Sequence, residues 1–220
     1  MSFKALINLI LENNPNIQEI RNSRHKPLDL LILLILNQST SDDLADLAFK
    51  KLKLDYPDYK TILAENNPEK LTESIKICGL SKSKSVYILN TLNYLEKQNW
   101  LDINLNFIND LSDAEALEAL TQIKGIGIKS ASCLLMFSFK RGTFPIDTHL
   151  FRIFKRLGNI IPTGIDLVKA HKFLQPQIQG KLAFQVHVAL IELGRKVCLG
   201  KTNPKCSICY LNSICQKNFN

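Results

Sequence analysis

The sequence predicts an all-α chain, and three observations carry that prediction. Only 9 glycines and 8 prolines are spread over 220 residues, fewer than the turns of a β-sandwich or barrel normally use. No continuous run alternates apolar and polar residues as a half-buried strand does. Apolar residues instead recur at helical spacing between recognisable cap residues. Hydrophobic residues make up 45% and charged residues 22% of the chain, enough for a sizeable core and unlike a disordered protein. The length suits one large domain or two small ones.

The elements follow in order. Phe3, Leu6, Ile7 and Ile10 share one face of a first helix, Phe3 to Glu12, which Asn13-Asn14-Pro15 ends. A basic connector runs from Arg21 to Lys26. Pro27 then opens an apolar helix whose run Leu28 to Leu36 is interrupted by Asp29. That run falls short of the roughly 20 residues a bilayer span needs and reads as a buried helix. Ser41-Asp42-Asp43 caps the next helix, with Leu44, Leu47, Ala48 and Leu52 along it. A further helix is expected near Pro68 to Ile77, stopped by Cys78-Gly79. Ser81-Lys82-Ser83-Lys84 starts another, reaching about Glu96, and Asn104 to Asp110 reads as a polar loop. Ser112 with Glu115 is a capping box for a helix ending near Ile123.

Net charge and the N-terminus bound the class of partner. The formal charge is +8, which favours a polyanion held through its phosphates. The opening stretch MSFKALINLILENNP has no uninterrupted apolar core before a small-residue cleavage site. The expectation is a cytoplasmic, nucleoid-associated protein without a membrane partner. A single hairpin motif and the lack of heptads predict a monomer.

The chemistry concentrates in three stretches. In Ile123-Lys124-Gly125-Ile126-Gly127-Ile128-Lys129-Ser130-Ala131, Gly125 and Gly127 allow a tight turn between two helical segments, Asp113 to Gln122 and Ile128 to Phe139. Its outward N–H groups and the positive end of the following helix can hold a phosphate, with Ile126 tucked into the core. An ordinary helix–helix turn fits the same residues. Lys129 falls in the first turn of the second helix, where the helix dipole disfavours a cation. It binds phosphate there or acts as an amine nucleophile. In Phe144-Pro145-Ile146-Asp147-Thr148-His149-Leu150-Phe151-Arg152, Asp147 is a favoured N-cap, and the same carboxylate can serve as an electrostatic catalyst. His149 by itself reads as a packed, hydrogen-bonded histidine.

The third stretch is Cys198-x7-Cys206-x2-Cys209-x5-Cys215. Four crowded thiols in an intracellular chain point to metal ligation over disulfides. Structural zinc sites usually show two short cysteine pairs, and here only Cys206 and Cys209 form one, which favours a [4Fe–4S] cluster. Lys196, Lys201 and Lys205 decorate the same loop. Cys78 and Cys133 stand apart in apolar surroundings.

Together these residues resemble the endonuclease III family of helix–hairpin–helix DNA glycosylases. The resemblance covers nearly the whole chain: the hairpin Gly125 to Ala131, Asp147-Thr148-His149 eighteen residues after Lys129, and the terminal cysteines. Leu36 to Thr40 and Ile77-Cys78-Gly79-Leu80 are weaker matches. Some positions depart from the family pattern. The first cysteine gap is one residue longer than usual, Lys124 stands where proline is common, Ile128 where a basic residue is, and Asn37 and Ser39 differ around Gln38.

The resemblance implies a two-domain helix–hairpin–helix glycosylase fold with DNA between the domains. Residues 23–141 would form a helical barrel carrying the motif at about 113–139. Residues 1–22 plus 142–220 would form the other domain, with the cluster loop at 198–215. It further implies Lys129 as nucleophile and Asp147 as catalytic aspartate. Gln38 would fill the space of an extruded base, and Leu80 would wedge the helix open. Gly125, Gly127 and His149 would contact DNA, and Cys198, Cys206, Cys209 and Cys215 would ligate a structural [4Fe–4S] cluster. The implied activity is a bifunctional DNA glycosylase/AP lyase of base excision repair, acting on double-stranded DNA with an oxidised pyrimidine or an abasic site. One alternative is a monofunctional glycosylase for mismatched or alkylated bases, which Lys129 counts against. Another is a non-catalytic, metal-stabilised DNA-binding module, which gives no reason for Lys129 and Asp147.

Overall fold

A computed structural model describes residues 2–17, 25–178, 180–200 and 203–219. The connector Arg21 to Lys26 lies largely outside the described residues, as does Lys201. The described residues contain eleven α-helices and no strand. No helix among them is long and apolar enough to cross a membrane. The chain divides into two compact units, Ser23–Leu134 and Met1–Asn22 with Leu135–Asn220.

The Ser23–Leu134 unit starts with α2 (Pro27–Leu36), following α1 (Phe3–Glu12) of the other unit. Pro27 occupies the first turn, where its missing N–H costs nothing. Leu28, Leu31, Ile32, Ile35 and Leu36 are buried, because α3 (Asp42–Asp55) and α6 (Ser81–Lys97) both pack against this helix. Asp29 is accommodated by partners distant in sequence. Its Oδ1 accepts from the Tyr59 hydroxyl at 2.6 Å, and Lys53 Nζ lies 3.5 Å away. Burial and this carboxylate push the Tyr59 phenol up. Tyr59 opens α4 (Tyr59–Glu65), a short helix absent from the sequence reading.

Three expectations in this unit are corrected. The inward face of α3 is Ala45, Ala48, Phe49 and Leu52, whereas Leu44 and Leu47 are 38% and 48% exposed. Residues 45, 48, 49 and 52 share one helical stripe, and Leu44 and Leu47 fall outside it. The helix expected to reach Ile77 ends earlier: α5 (Pro68–Ser74) gives way to a 3-10 turn at Lys76–Cys78. The tighter winding puts both Ile75 and Cys78 in the core. The stretch Asn104 to Asp110 also contains a 3-10 turn, Asn106–Asp110, with Leu105 and Ile108 fully buried. Beside it Trp100 stacks on Phe107, ring centroids 4.2 Å apart and planes within 4°. The capping box of α7 (Asp113–Thr121) forms with both reciprocal bonds.

The other unit joins α1 to α9 (Thr148–Leu157), α10 (Leu167–Leu174) and α11 (Lys181–Lys196). Helix α11 packs on α1 and α9, and α10 packs on α9. Phe3, Phe144 and Phe154 form an aromatic triad at its centre, with centroids 6.4, 6.0 and 6.5 Å apart. The partition between units falls at Leu134 and Leu135, inside α8 (Ile128–Phe139).

Candidate active site and cysteine loop

The hairpin links α7 to α8. Ile126 is 4% exposed, and its N–H donates to the Ile123 carbonyl at 2.9 Å, which closes the turn. Gly125 adopts φ +106°. A Cβ there would meet the Tyr87 side chain at 2.4 Å, so both backbone and packing require glycine. Gly127 differs: a Cβ there meets nothing within 4 Å, and the residue is exposed. Its backbone is open to close approach from solvent. The Gly127 carbonyl accepts from Ala131 N at 3.0 Å, starting α8.

Lys129 is half-buried in the first turn of α8, above the buried Ser130, Ala131 and Ser132. Among the described residues no carboxylate pairs with it. Gln38 lies just beyond α2, and its Nε2 donates to the Gly125 carbonyl at 2.9 Å. The structure thus brings Gln38 against the hairpin. Leu80 is 62% exposed at φ +49°, directly after Gly79 at φ +64°. Thr40 Oγ1 donates to the Cys78 carbonyl at the base of that turn.

Asp147, Lys129's partner in the sequence motif, belongs to the other unit. Its Oδ1 accepts from Leu150 N at 2.8 Å as the N-cap of α9; among the described residues no bond engages Oδ2. Two clamps hold the extended segment leading to it. Gln175 Oε1 accepts from Phe144 N at 2.6 Å while its Nε2 donates to the Gly142 carbonyl at 3.1 Å. His187 Nδ1 donates to the Pro145 carbonyl at 2.9 Å. His149 is half-buried, and its Nδ1 accepts from Arg152 Nη2 at 3.1 Å. Its ring packs so closely on α11 that a Cβ at Gly194 would fall 2.8 Å from the His149 Cβ.

Arg152 and Arg156 carry α9 to the cysteine loop. Arg152 donates to the Cys198 carbonyl through Nε at 3.0 Å and Nη2 at 2.7 Å. Arg156, 8% exposed, donates to Cys198 Sγ at 3.2 Å and to the Leu199 and Gly200 carbonyls at 2.6 and 3.1 Å. Cys198, Cys206, Cys209 and Cys215 are unpaired thiols. With Arg156 and Phe219 they line one recess. Among the described residues no three Cys, His, Asp or Glu side chains are spaced to chelate a single metal ion. Burial pushes the Cys209 thiol up, and its three neighbouring cysteines add to the rise. Two N–H groups are aimed at sulfurs, Arg156 Nη1 at Cys198 and Lys217 N at Cys215, the latter at 3.4 Å. Four thiols with N–H donors behind them are a donor set that suits an iron–sulfur group.

Sequence reasoning missed Tyr87, Arg156, Gln175 and His187 as supports. Only the arginines left a signal: Arg152 and Arg156 are four apart and share a helix face.

The profile of the HhH-GPD superfamily, base excision DNA repair proteins, matches residues 32–173. The endonuclease III of Thermotoga maritima is 30% identical over 193 residues, covering 86% of this chain and 83% of that protein. The chain belongs to the endonuclease III family. A candidate DNA glycosylase of Arabidopsis thaliana is 33% identical over 171 residues, 78% of this chain, and the match spans 57% of that longer protein. The fold is also that of a solved endonuclease III trapped as a covalent DNA intermediate, with a TM-score of 0.78 and 22% identity, covering 97% of this chain and 94% of that one. The hairpin, Lys129, Asp147 and the cysteines therefore sit on an endonuclease III scaffold.

Proposed function

We propose that this endonuclease III family member is a bifunctional DNA glycosylase/AP lyase acting on duplex DNA with a damaged base, in the first instance an oxidised pyrimidine. The observation that carries the reading is Lys129. An amine with no carboxylate partner among the described residues stands in the first turn of α8, directly after a glycine turn suited to a phosphate. The sugar carbon is shielded inside a stacked duplex, so the target nucleotide must first be extruded. Lys129 Nζ then attacks C1′, and the N-glycosidic bond breaks with its electron pair leaving on the base. Ring opening gives a Schiff base between Lys129 and C1′. Loss of a proton from C2′ expels the 3′ phosphate and cuts the strand. The Asp147 carboxylate stabilises positive charge on the sugar and assists the proton transfers. Cys198, Cys206, Cys209 and Cys215 would hold a [4Fe–4S] cluster, which supplies structural cross-linking of the loop.

Borohydride trapping on a duplex containing one oxidised pyrimidine tests this. The wild type is expected to give a covalent complex, and Lys129→Ala none. Asp147→Asn keeps a good helix cap, so it should fold normally while turnover drops about 100-fold or more. Base release without trapping would replace this reading with a hydrolytic glycosylase. Iron and sulfide analysis of the purified protein tests the cluster, and a colourless zinc protein would overturn that assignment.

A further inference from the structure

We propose that Lys84 is a positioning residue that holds the helix-opening turns of this enzyme in register, an inference that rests on the glycosylase reading above. Lys84 is 1% exposed, and it is the one buried lysine among the described residues. It sits in the first turns of α6, where the helix dipole opposes a cation. Ordering so long a side chain also costs conformational entropy. A leucine would fill this space at lower cost, so the polar end must answer to something other than core packing.

Its Nζ donates two hydrogen bonds, to the Leu36 carbonyl at 2.7 Å and to the Cys78 carbonyl at 2.8 Å. Leu36 is the last residue of α2, whose terminal carbonyls have no helical partner. Directly beyond it comes the turn carrying Gln38, with Ser39 at φ +54°. Cys78 ends the 3-10 turn before Gly79 and Leu80. Both turns therefore hold a non-glycine residue in the left-handed region, which is unfavourable unless the surroundings impose it. One amine fastens the roots of both. Thr40 adds a second donor to the same Cys78 carbonyl, and Gln38 extends the network to the hairpin through Gly125.

The exposed Leu80 can part base pairs only if its turn resists being pushed back, and Gln38 can enter the vacated space only from a fixed distance. Lys84 sets both before DNA arrives, so little ordering remains to be done on binding.

The test compares two duplexes of one sequence, undamaged and with a single tetrahydrofuran abasic-site analogue, in competition binding at fixed salt. Wild type, Lys84→Met and Thr40→Val are measured as full-length proteins, with circular dichroism reporting the fold. Wild type is expected to prefer the analogue. Lys84→Met should lose that preference by about tenfold, while undamaged duplex binds within about twofold. Thr40→Val should shift preference in the same direction by less. A folded Lys84→Met protein that keeps the wild-type preference overturns the proposal and leaves the glycosylase reading intact. If Lys84→Met does not fold, an unchanged preference in Thr40→Val overturns it instead. A wild type with no preference overturns the glycosylase reading, and this inference with it.

Discussion

Gly125 and Gly127 are separated by one residue and answer to different constraints. At Gly125 the backbone is left-handed and Tyr87 occupies the place of a Cβ; at Gly127 there is open space. Gly125→Ala should therefore cost roughly 1–3 kcal/mol of folding stability. Gly127→Ala should leave stability nearly unchanged and weaken duplex binding, since its methyl group intrudes only when a phosphate approaches. Urea unfolding and duplex titration of the two variants check this; equal destabilisation by both would contradict it. The glycine pair was legible in the sequence, but its division of labour was not, because Tyr87 is distant along the chain. The same holds for Lys84, whose surroundings mix Lys82, Ser83 and Ser85 and look like a solvated helix start. Asp147 was legible as a cap because capping is a local hydrogen bond, to a backbone N–H three residues on.

Among the elements, helices of ten residues or more with a clear apolar stretch read correctly and short ones did not. Phe3–Glu12, Pro27–Leu36 and Ile128–Phe139 appear with their expected limits. Tyr59–Glu65 has only 7 residues, too few for a periodic signal, and exists through tertiary contact. Its first residue bonds Asp29 in the first turn of the most apolar helix. Asp29 thus interrupts that run to anchor α4. Tyr59→Phe removes the hydroxyl and leaves a partly buried carboxylate one bond short. A loss of about 1.5–3 kcal/mol is expected, read by denaturant titration. Full wild-type stability would mean that Lys53 alone satisfies Asp29. The break between α5 and the 3-10 turn was likewise illegible, because Ser74 and Ile75 carry no helix-stopping signal and the fold itself imposes the tighter winding.

Over the whole molecule, charge and cysteine count were readable from composition, since neither depends on the path of the chain. The second crossing between the units, at Leu134 and Leu135, was not, because it falls within α8, where no glycine or proline breaks the helix. Stability should respond to acid through His171 on α10. Burial lowers its pKa from 6.5 to about 4. Between those values the unfolded chain takes up the proton and the folded one does not. Stability is therefore whole above pH 6.5 and falls as the pH drops towards 4, by up to about 3 kcal/mol from this group. His171→Gln should flatten that part of the curve, measured by urea unfolding across the window; an unchanged slope would assign the acid sensitivity elsewhere. Trp100 gives the molecule one more property. It is the sole tryptophan of the chain, and it lies stacked on Phe107 within Ser23–Leu134. Its emission is a built-in optical label for that half alone, while the visible colour of an iron–sulfur group would label the half that carries the cysteines. Followed together during denaturation, the two signals would reveal whether the halves melt as one cooperative body or in succession.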